Sequence, residues 1–308
     1  MDAVSATTRL PDDARGASIA LGNFDGVHLG HQAVIAAARV GAEGKRVAAA
    51  VFEPHPRRFF QPDAPPFRLQ TSGQRARALG EASVDLLIEI AFDAVLSQMT
   101  DEAFAKEILV DRLGAARVAI GFDFRFGRGR MGDAAALKRH GEAFGFEVEV
   151  VDAVDDGHDP DKVSSTSIRS ALQTGDMDQA ERLLGRPWAI EGEVITGMQR
   201  ARGIGFPTAN VALGDYLRPL FGVYATATNV GDGVWRPGVS NCGVKPTVGS
   251  VAEPLLETHV FDFSADLYGR TVETRLMHFL RAEKKFESFE ALTTQIAEDG
   301  KAARAFFR

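Results

Sequence analysis

Apolar residues in the first half of the chain gather in short runs: Ser18-Ile-Ala-Leu-Gly22, Arg46-Val-Ala-Ala-Ala-Val-Phe52, Val84-Asp-Leu-Leu-Ile-Glu-Ile90 and Arg117-Val-Ala-Ile-Gly-Phe122. Runs with so little polar alternation predict strands buried on both faces. Between them, segments 31–40, 74–80, 101–113 and 133–144 space their apolar residues three or four apart and predict helices. Strand, helix, strand repeated from Ala17 to about Leu184 predicts an α/β layer with a mostly parallel sheet. A last helical pair carries Ile168, Leu172, Met177, Ala180 and Leu184; Gly185 caps its end and Pro187 prevents continuation. A domain boundary is placed there, dividing the chain into 1–185 and 186–308.

Beyond Trp188 the texture changes. Gly recurs every few residues, and short segments rich in Val, Thr and aromatics run at Ala189 to Ile195, Val223 to Thr228, Leu256 to Phe263 and Thr271 to Leu276. Such strands with turn-rich connections predict an antiparallel barrel or sandwich. The chain closes with a predicted helix capped by Ser288, with Phe289, Leu292 and Ile296 on one face.

Composition narrows the partners. Against 35 basic residues stand 42 acidic ones, a net charge of −7, with no dense Lys/Arg block. Nucleic acid and anionic membrane are therefore not expected as main partners, and phosphate binding must be local. A single cysteine, Cys242, excludes an intrachain disulfide and a Cys-rich zinc site, and fits a reducing compartment. No apolar stretch approaches the roughly 20 residues that span a bilayer, and acids near the start disfavour a signal peptide. The expectation is a cytoplasmic protein; homo-oligomer formation is left open.

The first candidate site is Gly22-Asn-Phe-Asp-Gly-Val-His-Leu-Gly-His31, between the first predicted strand of the α/β layer and its helix. Open parallel sheets bind ligands beyond the carboxyl ends of their strands, as here. Gly26 and Gly30 permit close backbone approach, and His28 and His31, three apart, share one side of a helical turn. Two imidazoles beside exposed helix amides suit nucleotide phosphates, where in-line displacement needs positioning and charge stabilisation. The alternative is that one His caps the helix while the other packs on the sheet. Gly127-Arg-Gly-Arg-Met-Gly132 fits the dinucleotide pattern, but its position deep in the domain and its arginines suit phosphate better. No Gly-x-x-x-x-Gly-Lys-Ser/Thr segment exists, which excludes a P-loop kinase.

The second candidate site opens with Arg200-Ala-Arg-Gly-Ile-Gly-Phe-Pro-Thr-Ala-Asn210. Thr208 and Asn210, two apart, face one way if the chain is extended and offer neutral oxygens for Mg²⁺ together with ATP phosphates. The alternative is a strand entry with solvent-facing polar groups. Glu257 shares a strand face with His259 and Phe261, and a carboxylate on a partly apolar face suits a general base for an alcohol; the alternative is an ordinary edge-strand Glu.

These segments resemble the bacterial bifunctional riboflavin kinase/FAD synthetase family. In the first half, Gly22 to His31 is similar to the nucleotidylyltransferase signature. Phe52-Glu-Pro-His-Pro56, Gly121-Phe-Asp-Phe-Arg-Phe-Gly127 with Arg130-Met-Gly-Asp133, and Ser164-Ser-Thr-Ser-Ile-Arg169 are similar to the family's further motifs. In the second half the resemblance rests on Gly205-Phe-Pro-Thr-Ala-Asn210, Gly222-Val-Tyr224, Gly238 to Gly243 with Pro246-Thr247, and Glu257 to Phe263 leading to Asp266-Leu-Tyr-Gly269. Ala201 and Thr196 depart from the usual pattern, in the loop the resemblance gives to ATP.

The resemblance implies a Rossmann-like nucleotidylyltransferase domain, then a β-barrel riboflavin kinase domain with a C-terminal helix. It implies that Glu257 deprotonates the ribityl 5′-hydroxyl of riboflavin to make FMN. FMN then attacks the α-phosphate of ATP, with His28 and His31 stabilising the transition state, to give FAD and pyrophosphate. Gly22, Phe24, Asp25, Gly26, His28, His31, Asp123, Ser164, Thr166 and Arg169 are the implied ATP contacts of the transferase. Gly203, Gly205, Pro207, Thr208, Asn210 and Glu257 are the implied ATP and flavin contacts of the kinase, with Thr208 and Asn210 on the metal. Two rival readings stay open: an adenylyltransferase for another phosphorylated acceptor with a flavin-binding barrel, and a non-catalytic flavin sensor.

Overall fold

The structure is a computed structural model that describes residues 1–40, 42, 44–155, 157, 163–195, 208–244 and 253–308. It forms two compact units, Met1–Ala64 with Ser72–Val163, and Pro65–Thr71 with Ser164–Arg308.

In order, the first unit contains β1 (Asp2–Ser5), β2 (Ser18–Leu21), α1 (Leu29–Arg39), β3 (Val47–Glu53), α2 (Pro56–Phe60), α3 (Ser72–Glu81), β4 (Leu86–Ala91) and α4 (Ala94–Gln98). There follow α5 (Asp101–Ala103), which runs into a π-helix (Phe104–Arg112), then β5 (Arg117–Gly121), α6 (Ala134–Phe144) and β6 (Glu147–Val151). The strands form one parallel sheet in the order β1-β4-β3-β2-β5-β6. Alternate residues feed two cores. Ile19, Leu21, Ala50 and Ile88 pack with Phe104, Ile108 and Leu137 on one face, and Ala20, Ala49 and Val51 pack with Val34, Ile35 and Leu79 on the other. Both faces are thus covered, which is why the strands lack polar alternation.

Two features differ from expectation. The helix expected over 101–113 becomes π-helical after one turn; its wider winding sets Phe104, Ile108, Leu109 and Leu113, four and five apart, on the core side. The edge strands β1 and β6 have no long apolar run, because each has a sheet neighbour on one side only and β6 keeps Glu147 and Glu149 in solvent.

In the second unit come α7 (Ser165–Thr174), α8 (Met177–Leu184), β7 (Ala189–Ile195), β8 (Ala209–Ala212), β9 (Gly222–Asn229), β10 (Trp235–Val244), β11 (Pro254–Val260), β12 (Thr271–Ala282) and α9 (Phe289–Phe306). Gly185 ends α8 in the left-handed conformation, φ 74°. The strands close a barrel in the order β10-β11-β8-β7-β12-β9, which decides between barrel and sandwich. Closure leaves every strand paired on both sides. Inside, Ser240 Oγ joins Thr226 Oγ1 at 2.9 Å and Thr258 Oγ1 at 2.8 Å in a buried hydroxyl chain. Segment 65–71 is bound here too: Trp188 Nε1 donates to the Leu69 carbonyl at 2.7 Å and Arg169 Nε to that of Phe67 at 2.9 Å.

Ser288 caps α9, but the packed face lies further along than expected. Leu292 and Ile296 are half-buried, Asp299 and Ala303 are buried, and Phe289 is 60% exposed. The anchor is polar: Arg281 donates to both Asp299 oxygens, at 2.8 and 2.6 Å.

Candidate functional sites

Sheet order fixes where the first site lies. From β2 the chain moves toward β3 and β4, and later returns to the opposite side of β2 to form β5 and β6. The loops after β2 and β5 therefore diverge at a switch point, where an open sheet leaves a crevice. Residues 22–28 form the first of these loops and Asp123 lies on the second.

The first loop is tightly folded. Phe24, Gly26 and Val27 all have positive φ, at 52°, 96° and 40°. For residues other than glycine that conformation is strained, and strain of this kind concentrates at functional sites. Gly22 N–H donates to the Ala50 carbonyl at 3.1 Å, and Gln32 Nε2 donates to the Val27 carbonyl at 3.0 Å. Phe24 and Asp25 are buried, at 1% and 2% exposure.

His28, 6% exposed, is the N-cap of α1: its Nδ1 accepts from the His31 N–H at 3.3 Å. A neutral imidazole that accepts at Nδ1 carries its proton on Nε2, which leaves Nε2–H as a donor. The His28 and His31 rings stack with centroids 3.6 Å apart and planes at 20°, and Phe24 lies 5.1 Å from His31. Gly30 makes room, since a Cβ there would fall 3.2 Å from the His28 ring. The cap and the paired imidazoles are thus one arrangement, presented where the first amides of α1 favour anions.

Glu53 of the Phe52–Pro56 segment accepts from buried Arg75 at 3.0 Å, and Glu89 lies 3.5 Å from the same guanidinium. His55 caps α2 by accepting the Arg57 N–H at 3.0 Å. Asp123 is exposed beyond β5. After it, the glycine loop folds back so that Phe126 and Gly132 pair, with Gly127 and Gly132 packed against Asp101. Asp101 accepts from His140 Nε2 at 2.9 Å, and that hydrogen bond is the main reason its carboxyl sits below its ordinary pKa.

Ser164, Thr166 and Arg169 lie in the second unit, at the start of α7. Ser164 and Ser167 form a capping box, each side chain receiving the other's N–H at 3.1 Å. Thr166 is exposed, and Arg169 is held by Phe67 through its carbonyl and, 5.6 Å away, its ring.

In the barrel, register assembles the second site. Glu257 on β11 stands opposite Asn210 on β8 and opposite Asn241 on β10. Directly opposed residues share a face, so Asn210, Glu257 and Asn241 form a row on the outer surface, while Leu256, Thr258 and Val260 fill the interior. Glu257 is half-buried and Asn210 is 3% exposed. Asn210 Nδ2 donates to the Thr208 carbonyl at 3.3 Å, and its Oδ1 is buried with no hydrogen-bond partner. Gly203, Gly205, Pro207, Thr196, Ala201 and Pro246-Thr247 lie outside the described residues. Next to Asn241, Cys242 points into the barrel, where burial pushes its thiol up to about 12 and so disfavours the thiolate.

Sequence reasoning passed over Asn23 and Asn241. Asn23 Oδ1 is buried without a partner inside the first loop, and Asn241 flanks Glu257 across the strands. Both lie within segments that carry the resemblance, but Asn241's place beside Glu257 follows only from the strand pairing, whereas Asn23's place follows from its own loop.

Comparison with known proteins places both halves. The family described as FAD synthetase matches residues 10–167 and that described as riboflavin kinase matches 184–307. The chain is 44% identical to a bifunctional riboflavin kinase/FMN adenylyltransferase of Pseudomonas fluorescens, over 99% of this chain and 97% of that one. It is 39% identical to the same enzyme of Escherichia coli K12, over 95% and 93%. A crystal structure described as a macrolide-efflux protein from Streptococcus pneumoniae is similar over 99% of both chains, with 28% identity and a TM-score of 0.85. Among the described residues no helix is long and apolar enough to cross a membrane.

Proposed function

The chain belongs to the bifunctional riboflavin kinase/FMN adenylyltransferase family, and from that premise we propose that its two reactions run at two separate sites, one in each half. The enzyme phosphorylates riboflavin to FMN with ATP, and adenylylates FMN to FAD with release of pyrophosphate. We assign the second reaction to 1–185 and the first to 186–308, a division supported by the family matches at 10–167 and 184–307.

In the barrel, Glu257 takes the proton of the ribityl 5′-hydroxyl as that oxygen attacks the γ-phosphate of ATP, and ADP leaves. General-base assistance of this kind is worth about 10²- to 10⁴-fold. Asn210 Oδ1, buried and unpartnered while Nδ2 is tied to Thr208, is a hard neutral acceptor that fits Mg²⁺. Thr208 and Asn210 would hold the ion, whose charge would offset that of the transferring phosphoryl group. Gly203, Gly205 and Pro207 are assigned to the ATP loop by their motif alone.

At the first site an FMN phosphate oxygen attacks the α-phosphate of ATP, and the pentavalent arrangement collapses as pyrophosphate leaves. His28 Nε2–H and the stacked His31 stabilise the charge that develops. Gly22, Phe24, Asp25 and Gly26 shape the loop. Asp123, Ser164, Thr166 and Arg169 are assigned to ATP by their motifs, the last three also by the anion preference of a helix start. The setting is cytoplasmic, where ATP and flavin are at hand.

The observation that carries the transferase assignment is the capped, stacked His28/His31 pair at the switch point. Incubating the protein with riboflavin and Mg-ATP and separating flavins over time tests it. FMN should precede FAD, and His28→Ala should stop the sequence at FMN; a His28→Ala protein that still makes FAD at the wild-type rate would move transfer elsewhere.

A further inference from the structure

Asn23 has no part in the roles assigned above. It stands between Gly22, bound to β3 through the Ala50 carbonyl, and Phe24, whose ring meets His31. Its Oδ1 is buried and receives no hydrogen bond. Buried polar atoms in folded proteins are nearly always satisfied, and each exception calls for an explanation, a partner from outside the chain being one of them. Residues 22–28 are held by the strained backbone at Phe24 and Val27, so the acceptor is fixed in place.

The substrates' chemistry limits what that partner can be. Ionised phosphate oxygens only accept, so they cannot satisfy a carbonyl-type oxygen. A cation or an ordered water would satisfy it too, but only a substrate donor makes loss of this oxygen and loss of one substrate hydroxyl non-additive; beside a reacting phosphate, the donors nearest along either substrate are sugar hydroxyls, the ribose of ATP or the ribityl chain of FMN. We infer that the Asn23 side-chain oxygen accepts a hydrogen bond from a substrate sugar hydroxyl adjacent to the reacting phosphate. It is then a specificity determinant for adenylyl transfer, selecting substrates that carry the hydroxyl over deoxy analogues. This inference rests on the assignment of the His28 loop to that reaction.

The full-length protein and its Asn23→Ala variant are compared for FAD formation from FMN, using ATP, 2′-deoxy-ATP and 3′-deoxy-ATP. The series is repeated with FMN analogues that lack one ribityl hydroxyl at a time. With natural substrates the variant should lose about tenfold in kcat/KM, the scale of one hydrogen bond to a desolvated group. Wild type should lose a similar factor with one deoxy substrate, and the variant should lose nothing more with that substrate. If the shared loss falls on deoxy-ATP the donor is the ribose, and if on deoxy-FMN, the ribityl chain. Riboflavin phosphorylation should be unchanged, and the ligand-free Tm should be unchanged or higher, because Oδ1 makes no bond within the chain. A variant within twofold of wild type, losses that multiply for every analogue, or a lowered ligand-free Tm overturns the inference. His28→Ala, run alongside, separates the failures: if it leaves FAD formation intact, the site assignment falls and not merely the role of Asn23.

Discussion

The two candidate sites obtain their geometry in different ways. Around His28 the backbone does the positioning: three of the four residues from Phe24 to Val27 have positive φ, the helix begins at a histidine cap, and the imidazoles stack because Gly30 leaves room. Around Glu257 the strands are regular, and the neighbours Asn210 and Asn241 are set by register alone. A one-residue slip of β8 would replace Asn210 by Ala209 or Val211 and turn the amide inward. Accuracy in the first site is therefore stored in local torsions, and in the second in the integrity of a whole barrel. Point changes of residue type should damage the first locally, while the second should respond to chemistry at Glu257 or to loss of barrel stability.

The largest effect is expected from Glu257→Gln, which keeps size and polarity but removes the proposed base. FMN formation should fall by about 10²- to 10⁴-fold, while FAD formation from supplied FMN stays within about twofold. Parallel loss of both rates in a folded variant would mean that the sites are not independent.

Gly26→Val asks the same question from the other side. With φ at 96°, Gly26 occupies a conformation that costs an L-residue roughly 1–2 kcal/mol, and relaxation of the loop would displace Phe24 and the histidine pair. FAD formation should drop about tenfold with riboflavin phosphorylation unchanged. Equal rates for variant and wild type would show that the loop's torsions do not set the site.

How much of this could be read from the residues alone follows the same division. The strand, loop and helix around Gly22 to His31 are local in sequence, so apolar runs and glycine spacing predict them well. The stacking of His28 on His31 was not legible, because i and i+3 residues of a helix sit about 5–6 Å apart at Cβ and the close approach depends on His28 being the cap. Glu257 and Asn210 lie far apart in the chain, and their pairing follows from strand order, which no local pattern encodes. The same holds for Asn241. The face of α9 keeps Leu292 and Ile296 but not Phe289, and extends to Asp299 and Ala303, because its anchor is the Arg281–Asp299 ion pair and apolar periodicity does not weigh a buried charge.

A third test addresses the barrel's dependence on its interior. Ser240, 1% exposed, links Thr226 and Thr258, and its neighbour Asn241 faces the site row. Ser240→Ala leaves two buried hydroxyls short of a partner and should cost about 1–2 kcal/mol. Thermal inactivation should show the kinase failing at a lower temperature than in wild type, with the room-temperature rate retained. A rate loss at room temperature without a Tm change would instead make Ser240 part of the site.

The smallest expected effect concerns the support of the glycine loop in the first unit. Gly127 and Gly132 pack on Asp101, whose carboxylate is held mainly by His140 Nε2–H at 2.9 Å and secondarily by backbone amides. Its pKa in the folded protein lies below the ordinary value of 3.8. A depressed carboxyl pKa contributes stability that is fully present above the unfolded value, near 3.9, and is lost as pH falls through the folded one. Asp101→Asn should therefore lower Tm at pH 7, on the scale of about 1 kcal/mol, a hydrogen bond to a charged group discounted for the partial exposure of Asp101. The gap to wild type should narrow as pH falls below about 4. A gap that stays constant from pH 7 to below pH 4 would mean that shape and not charge holds the loop. That outcome would extend the contrast between the sites, since the first would then owe its geometry to backbone packing throughout.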